Sequence, residues 1–455
     1  MNDQRSISLS LLAQLLDVQR ENDQNITDNE FSNSLGILPI SNSSKFDTFA
    51  PLIKTAQAIS ADFDSINKYI FSAILFKGGR YKECIPYLIE SLSSFPLNRS
   101  AWKLLLQVLI RFDDATVTNT LVSLPDHWMK TFFQIELLSE LQQTEAAIQM
   151  LPKISDIPRS ASVIALEATV YYHNRDFDRS LSLFEELRTK FPFYLESLEL
   201  YSNLLFVKED VAGLSALSQS LTNIDKFRPE TLTATANFFS INGKHEEAIS
   251  LFAMALRFDS SFTFAWTLIG HEYVELDNIT AAITAYTKAI EYNPRDFRAL
   301  YGLGRAYEIA KMPYHSIIYY RKAVIINPFD SRMWLALGEC YEELMENENA
   351  IRCYQRAVCN VDSEGLAIYK LAQLYKEEGD EDKTAFCFES YLDKFDNEGE
   401  MRNEEQKEAI MFLAQYYRNK DKSEKANLYA QKLLFDPNTV AEGNALMRDI
   451  RSDNK

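Results

Sequence analysis

The stretch "WTLIGHEYVEL", Trp266 to Leu276, decides how the chain is read. Its His-Glu pair invites a metal reading, because zinc hydrolases carry H-E-x-x-H with two histidines one helical turn apart. The position of the second histidine holds Glu275, so the zinc signature is incomplete. A repeat explains more of the same residues. Thirty-four positions after Trp266 comes Leu300, and thirty-four later comes Trp334. Behind Trp266 follow Ile269, Gly270, Tyr273, Ala282, Tyr286, Ala289 and Pro294. Behind Leu300 follow Leu303, Gly304, Tyr307, Ser316, Tyr320, Ala323 and Pro328. Behind Trp334 follow Leu337, Gly338, Tyr341, Ala350, Tyr354 and Ala357, with Asp362 where proline stood.

This pattern resembles the tetratricopeptide repeat, W-x2-L-G-x2-Y, then A-x3-F, then P, over about 34 residues. Trp266, Trp334 and the tyrosines Tyr273, Tyr286, Tyr307, Tyr320 and Tyr341 are expected to fill the space between paired helices. The small residues Gly270, Gly304, Gly338, Ala282 and Ala350 are expected to let those helices approach. The period continues forward through Leu371, Tyr375, Thr384 and Phe388, and then through Ala414, Tyr417 and Ala426. It continues backward through Leu232, Phe239 and Phe252, a degenerate copy at Leu198 and Tyr201, and Ile164, Tyr171 and Phe184. An early copy runs from Lys68 to Pro96, and another begins at Trp102 and is broken by "LPDHWMK". The acidic stretch Lys394 to Lys407 reads as a loop.

The expected fold is all-α, a tetratricopeptide-repeat superhelix (α-solenoid) of stacked antiparallel helix pairs, since one pair cannot bury its apolar face alone. The expected organisation is a short amphipathic helix and polar flexible arm over 1–48 and an N-terminal superhelix of degenerate repeats over 49–230. A C-terminal superhelix of regular repeats over 231–450 and a tail over 451–455 complete it.

Composition agrees. Only 13 Gly and 13 Pro in 455 residues leave few turns, which disfavours a β-sandwich. A net charge of −18 disfavours nucleic acid and suits basic peptides, or simply keeps a large helical surface soluble. Cys84, Cys340, Cys353, Cys359 and Cys387 form no C-x-x-C pair, and their odd count suggests reduced thiols. No signal peptide and no membrane-spanning apolar run is read.

No catalytic constellation is found. "YGLGRAYE", Tyr301 to Glu308, lacks the third glycine and the preceding strand of a dinucleotide site. The five histidines are dispersed, and His245 is expected to face solvent. No metal or cofactor is expected. The repeat register projects Asn237, Thr267, His271, Glu275, Tyr301, Arg305, Glu308, Glu339 and Glu342 onto the concave face of the first helices. Such a set either is merely solvated or clamps a basic peptide, with carboxylates pairing an arginine and Tyr301 stacking on it.

Residues between the packing positions carry a narrower resemblance. "GHEY", "YEIAKMPYHSIIYYR" and "NPFDSRMWLALGECYE" are similar to the tetratricopeptide scaffold subunit eight of the anaphase-promoting complex, the cell-division-cycle twenty-three family. "SLPDHWMKTFFQIELLSELQ", "YHNRDFDRSLSLFEELR", "IDKFRPETL" and "LAQYYRNKDKSEKA" extend it over roughly residues 60 to 450. The resemblance implies a non-catalytic scaffold that forms homodimers through its N-terminal repeats and stacks with other tetratricopeptide subunits. It implies binding of WD40 coactivators through short basic motifs; charge, the lack of a long apolar run and the cysteine pattern add the expectations of no contact with nucleic acid or membrane and a place in nucleus and cytoplasm. The rival is a tetratricopeptide adaptor of chaperone tails, which needs a basic groove where this register projects Arg305 against several acids.

Overall fold

A helical hairpin must reverse the chain within two or three residues, and the residue that does so takes a left-handed backbone. In the computed structural model, Arg175, Glu209, Gly243, Asp277, Lys311, Met345 and Gly379 all have positive φ, between 55° and 81°. Each lies thirty-four positions after the one before. The N–H after each such residue reaches back to the helix just ended: Asn278 to Tyr273 O (2.8 Å), Met312 to Tyr307 O (2.9 Å), Glu346 to Tyr341 O (2.9 Å). This six-to-one bond satisfies a helix-end carbonyl while the chain turns. The period therefore runs without a slip through the copies whose side chains had drifted.

The structure describes residues 4–30, 47–60, 63–154, 158–360, 365–395, 404–420, 422–435 and 440–453. Among them are α-helices and short 3-10 turns, and no strand. In chain order the first are α1 (Gln4–Glu30), α2 (Ala50–Ala58), α3 (Ser65–Lys77), α4 (Tyr81–Ser94), α5 (Arg99–Leu109) and α6 (Asp114–Ser123). Then come α7 (Trp128–Glu140), α8 (Thr144–Met150), α9 (Ala161–His173), α10 (Phe177–Lys190), α11 (Leu198–Val207) and α12 (Val211–Ile224). Next are α13 (Pro229–Ile241), α14 (His245–Phe258), α15 (Thr263–Glu275), α16 (Ile279–Tyr292) and α17 (Phe297–Ile309). The last are α18 (Pro313–Ile326), α19 (Ser331–Glu343), α20 (Asn347–Cys359), α21 (Leu366–Glu378), α22 (Glu381–Phe395), α23 (Glu404–Asn419), α24 (Ser423–Lys432) and α25 (Val440–Asp453).

Two compact units divide at Ala306 and Tyr307, whereas the change from degenerate to regular repeats suggested a boundary at 230 and 231. Apolar clusters fill the first unit. One is built on Trp102, Phe71 and Phe133, another on Phe132 and Ile135, and another on Phe184, Leu198 and Leu204. Within this unit Arg111 donates to the carbonyls of Glu291 and Tyr292, and Arg295 donates to Phe112 O at 2.9 Å. Arg295 also lies 3.7 Å from Asp114. Two arginines thus tie the α5–α6 turn to the α16–α17 turn. In the second unit a large cluster has Tyr354, Phe388, Tyr391 and Leu413 among its fully or nearly fully buried residues.

The same devices recur from pair to pair. Trp102, Trp266 and Trp334 each donate the indole N–H to the carbonyl six residues upstream, at 2.7, 3.0 and 2.8 Å. A tryptophan can be packed there because its polar atom finds a partner. In "KMP", Lys311 is the left-handed turn residue and Pro313 starts α18, where a missing N–H costs nothing.

Some expectations change. The N-terminal helix is longer than expected and docks: Leu11 and Leu15 are buried, and Ser8 donates to Asn67 Oδ1 at 2.7 Å. The "LPDHWMK" break is the connection from α6 into α7, so the copy begun at Trp102 completes itself as a short pair. Asp362, the middle of the acidic loop (396–403), most of the expected arm (31–46) and the last residues of the tail lie outside the described residues.

Candidate functional site

The projected ligand-facing residues lie on the first helices of the regular repeats, α13, α15, α17 and α19, which also pack against neighbouring helices. Gly270 and Gly338 show how tight that packing is. A Cβ at Gly270 would stand 2.4 Å from the ring of Tyr286, and one at Gly338 2.5 Å from the ring of Tyr354. A Cβ at Gly302, which is not among the repeat-pattern positions, would likewise stand 2.6 Å from the Tyr286 ring. Gly304 is buried in α17. Ala282, Tyr286, Tyr320 and Ala350 are fully buried or nearly so, and Trp266 is buried. Tyr273, Tyr307, Tyr341 and Trp334 are half-buried. Tyr307 stacks on His315 and, almost parallel, on Tyr319.

The projected ligand-facing residues separate into three kinds. Asn237 and Thr267 are 3% exposed and do not stand open to a ligand. Asn237 donates to Ser202 Oγ at 2.9 Å, and Thr267 donates to Asp296 Oδ2 at 2.9 Å. The reason is register: both sit where one first helix packs against the next, and their short polar side chains bridge that seam. His271 is exposed and Glu308 and Glu342 are half-buried, but each holds a tyrosine of its own pair. The Tyr286 hydroxyl lies 2.7 Å from His271 Nδ1, and the hydroxyls of Tyr320 and Tyr354 donate to Glu308 and Glu342 at 2.6 Å. Lys370 lies 3.6 Å from the second oxygen of Glu342. Glu275 and Arg305 are exposed, and Tyr301 and Glu339 are half-buried.

Surroundings tune these groups. Desolvation by the surrounding protein, then the nearby Arg298 charge, lowers the pKa of His271. Burial raises Tyr286, as well as the Cys340 and Cys353 thiols, the last two to about 12. Those cysteines are protonated packing residues. His245, expected in solvent, is half-buried instead: its Nδ1 lies 2.8 Å from Glu272 Oε2. Glu272, the acid of the "HEYVE" motif, also accepts from Ser240 at 2.6 Å. His271 and Glu272 therefore bind different neighbours. Among the described residues no group of three metal-binding side chains occurs, and no helix is long and apolar enough to cross a membrane.

Within the first unit a further cluster went unnoticed in the sequence. Glu140, His173, Glu199 and His271 share the field of Arg298. Burial and Glu136 raise Glu140 to about 7, and burial raises Glu199 to about 8. Burial and Arg298 lower His173 to about 4, and Ser139 Oγ lies 2.8 Å from its Nδ1. These residues come from four different helices, α7, α9, α11 and α15, and their spacing gave no sign that they share one charge.

Comparison with known proteins places this geometry. Residues 45–165 match the family model described as Anaphase promoting complex subunit 8 / Cdc23. Residues 270–308, 331–358 and 366–397 match general tetratricopeptide-repeat models. Anaphase-promoting complex subunit 8 of Arabidopsis thaliana is 38% identical over 219 residues, covering 48% of this chain and 37% of that protein. Anaphase-promoting complex subunit CDC23 of Saccharomyces cerevisiae is 35% identical over 233 residues, 47% of this chain and 37% of that one. The human Cell division cycle protein 23 homolog is 38% identical over 202 residues, 43% and 33% of the two chains. The matched region thus spans about a third of these relatives' length. A subunit in the crystal structure of the APC/C hetero-tetramer Cut9-Hcn1 superposes with a TM-score of 0.59 at 15% identity, covering 99% of this chain and 90% of that one. That likeness concerns the fold: all-α tetratricopeptide helix pairs. The resemblance to the subunit-eight family, read first from the residues between the packing positions, stands on the family model and these relatives.

Proposed function

We propose that this chain is a non-catalytic scaffold subunit of the anaphase-promoting complex, occupying the place of subunit eight. The observation that carries the reading is the match of residues 45–165. The regular repeats fit general tetratricopeptide models and would serve any adaptor. The irregular first copies fit the model of one family. The Cut9-Hcn1 neighbour is by its description part of a hetero-tetramer of the same complex, which supports assembly with other subunits.

In this reading the chain pairs with a second copy through its N-terminal repeats, stacks with other tetratricopeptide subunits, and works in nucleus and cytoplasm. It receives basic coactivator motifs on its first-helix faces. The ligase chemistry belongs to other subunits. Exposed Glu275 is the projected carboxylate best placed to meet such a motif, because Glu308 and Glu342 already hold tyrosines. The test is affinity purification of the tagged full chain followed by mass spectrometry. Recovery of cullin and RING subunits with other repeat proteins is expected. Recovery of chaperones alone overturns the proposal in favour of the adaptor.

A further inference from the structure

The segment from Ile309 to Phe329 contains no Asp or Glu, in a chain of net charge −18. Its helix, α18, packs through Ser316, Ile317, Tyr320, Ala323 and Val324. The opposite face carries Tyr314 (71% exposed), Ile318 (51%) and Ile325 (76%), and Phe329 (76%) follows the helix end. Positions 314, 318, 321 and 325 fall on one stripe of an α-helix, so Arg321 stands among the apolar residues. Lys311 and Lys322 flank it, and all three cations are exposed.

These cations have no acidic partner among the described residues. Among the described residues no ion pair or carboxylate hydrogen bond joins Lys311, Arg321 or Lys322, and Lys322 has only the ring of Tyr319, 5.4 Å away. Ser91 to Phe112 is equally free of acids, yet its cations are all used. Arg99 pairs with Glu136 at 2.9 Å, Lys103 with Glu196 at 2.8 Å, and Arg111 binds backbone carbonyls. Lack of acid alone therefore does not mark a surface. An apolar stripe with unspent positive charge does, because single exposed apolar residues are ordinary and aligned ones are not.

We propose that this face of α18 docks an amphipathic helix of another protein, one whose apolar stripe is flanked by Asp and Glu. Such a helix would cover Tyr314, Ile318, Ile325 and Phe329 and give the three cations their carboxylates. Charge favours a helix over an anionic membrane. Residues 307–455 hold 28 acidic and 20 basic residues, so a broad anionic surface is repelled, while one helix about 10 Å wide meets only the local cations.

The test uses the full chain and two synthetic helical peptides with the same leucine stripe, one flanked by Glu and one by Lys. Vesicles of phosphatidylcholine with phosphatidylserine are the third probe. Fluorescence anisotropy should show binding of the Glu peptide and weakening by about tenfold or more in Arg321→Glu with Lys322→Glu. Ile318→Ala with Ile325→Ala should weaken it similarly, while Arg352→Glu with Arg356→Glu on α20 should not. Arg321→Ala with Lys322→Ala keeps the test open if reversal disturbs folding. Equal binding of both peptides, affinity indifferent to the α18 changes, or preference for the vesicles overturns the proposal.

Discussion

Glu272 and His245 form a bridge between two helix pairs: the carboxylate, 6% exposed, meets the imidazole Nδ1 at 2.8 Å and takes a second bond from Ser240 at 2.6 Å. Three successive helices, α13, α14 and α15, are tied by one acid. A buried acceptor with two donors is costly to remove, because both donors lose their partner. Glu272→Ala should destabilise the first unit by about 3 kcal/mol and Glu272→Gln by less. Repeat arrays need not unfold in one step, so amide exchange across α13 to α15 should be followed with the melting curve. Unchanged protection there in Glu272→Ala would count against the bridge.

The glycine-to-tyrosine approaches make a sharper case. A methyl group at Gly270 would lie 2.4 Å from the Tyr286 ring, which is fully enclosed and cannot swing away. Gly270→Ala should cost about 1–3 kcal/mol through overpacking. Adding Tyr286→Leu should return part of that loss, since the smaller side chain leaves room for the methyl. The double variant melting lower than the sum of the single losses would show that the ring is not the obstacle.

Backbone conformation alone is isolated at Gly243, where φ is +74° and nothing lies within 4 Å of an added Cβ. Gly243→Ala should cost about 1 kcal/mol from the left-handed turn. Asp277→Gly, at the equivalent turn with φ 57°, should be neutral or gain a few tenths of a kcal/mol. Opposite signs in denaturant midpoints check the pair, and a stabilising Gly243→Ala would contradict the turn argument.

These turns also explain what could be read from residues alone. The aromatic and small residues at Trp266, Gly270 and Tyr286 are conspicuous because packing demands particular sizes. The turn residue is not conspicuous, because Arg175, Glu209, Asp277, Lys311 and Met345 share a backbone shape and no side-chain chemistry. The ligand-facing set was read less well for a related reason. Register gives the direction of a side chain on its own helix, but Asn237 and Thr267 are claimed by the neighbouring repeat. The cluster around Arg298 depends on how several pairs stack, which no single repeat encodes.

That cluster sets the dependence of stability on pH. Glu199 and Glu140 keep their protons in the folded state up to about 8 and about 7, against 4.5 for a free carboxyl. In that window the folded state binds more protons than the unfolded one, so stability falls as pH rises. This contribution is complete below about 4.5 and lost as pH climbs through 7 and 8. His173 acts in the opposite sense. Its folded pKa, about 4 against 6.5, makes its contribution complete above 6.5 and lost as pH falls toward 4. Glu199→Gln keeps an uncharged side chain of the same shape at every pH. It should match the parent near pH 5 and exceed it by roughly 1–2 kcal/mol near pH 9, well below the full shift because Glu199 is partly accessible. Melting curves of both proteins from about pH 5 to 9 read this directly. Parallel curves would show that Glu199 ionises freely in the folded protein, and a variant weaker at high pH would show that its charge is stabilised there.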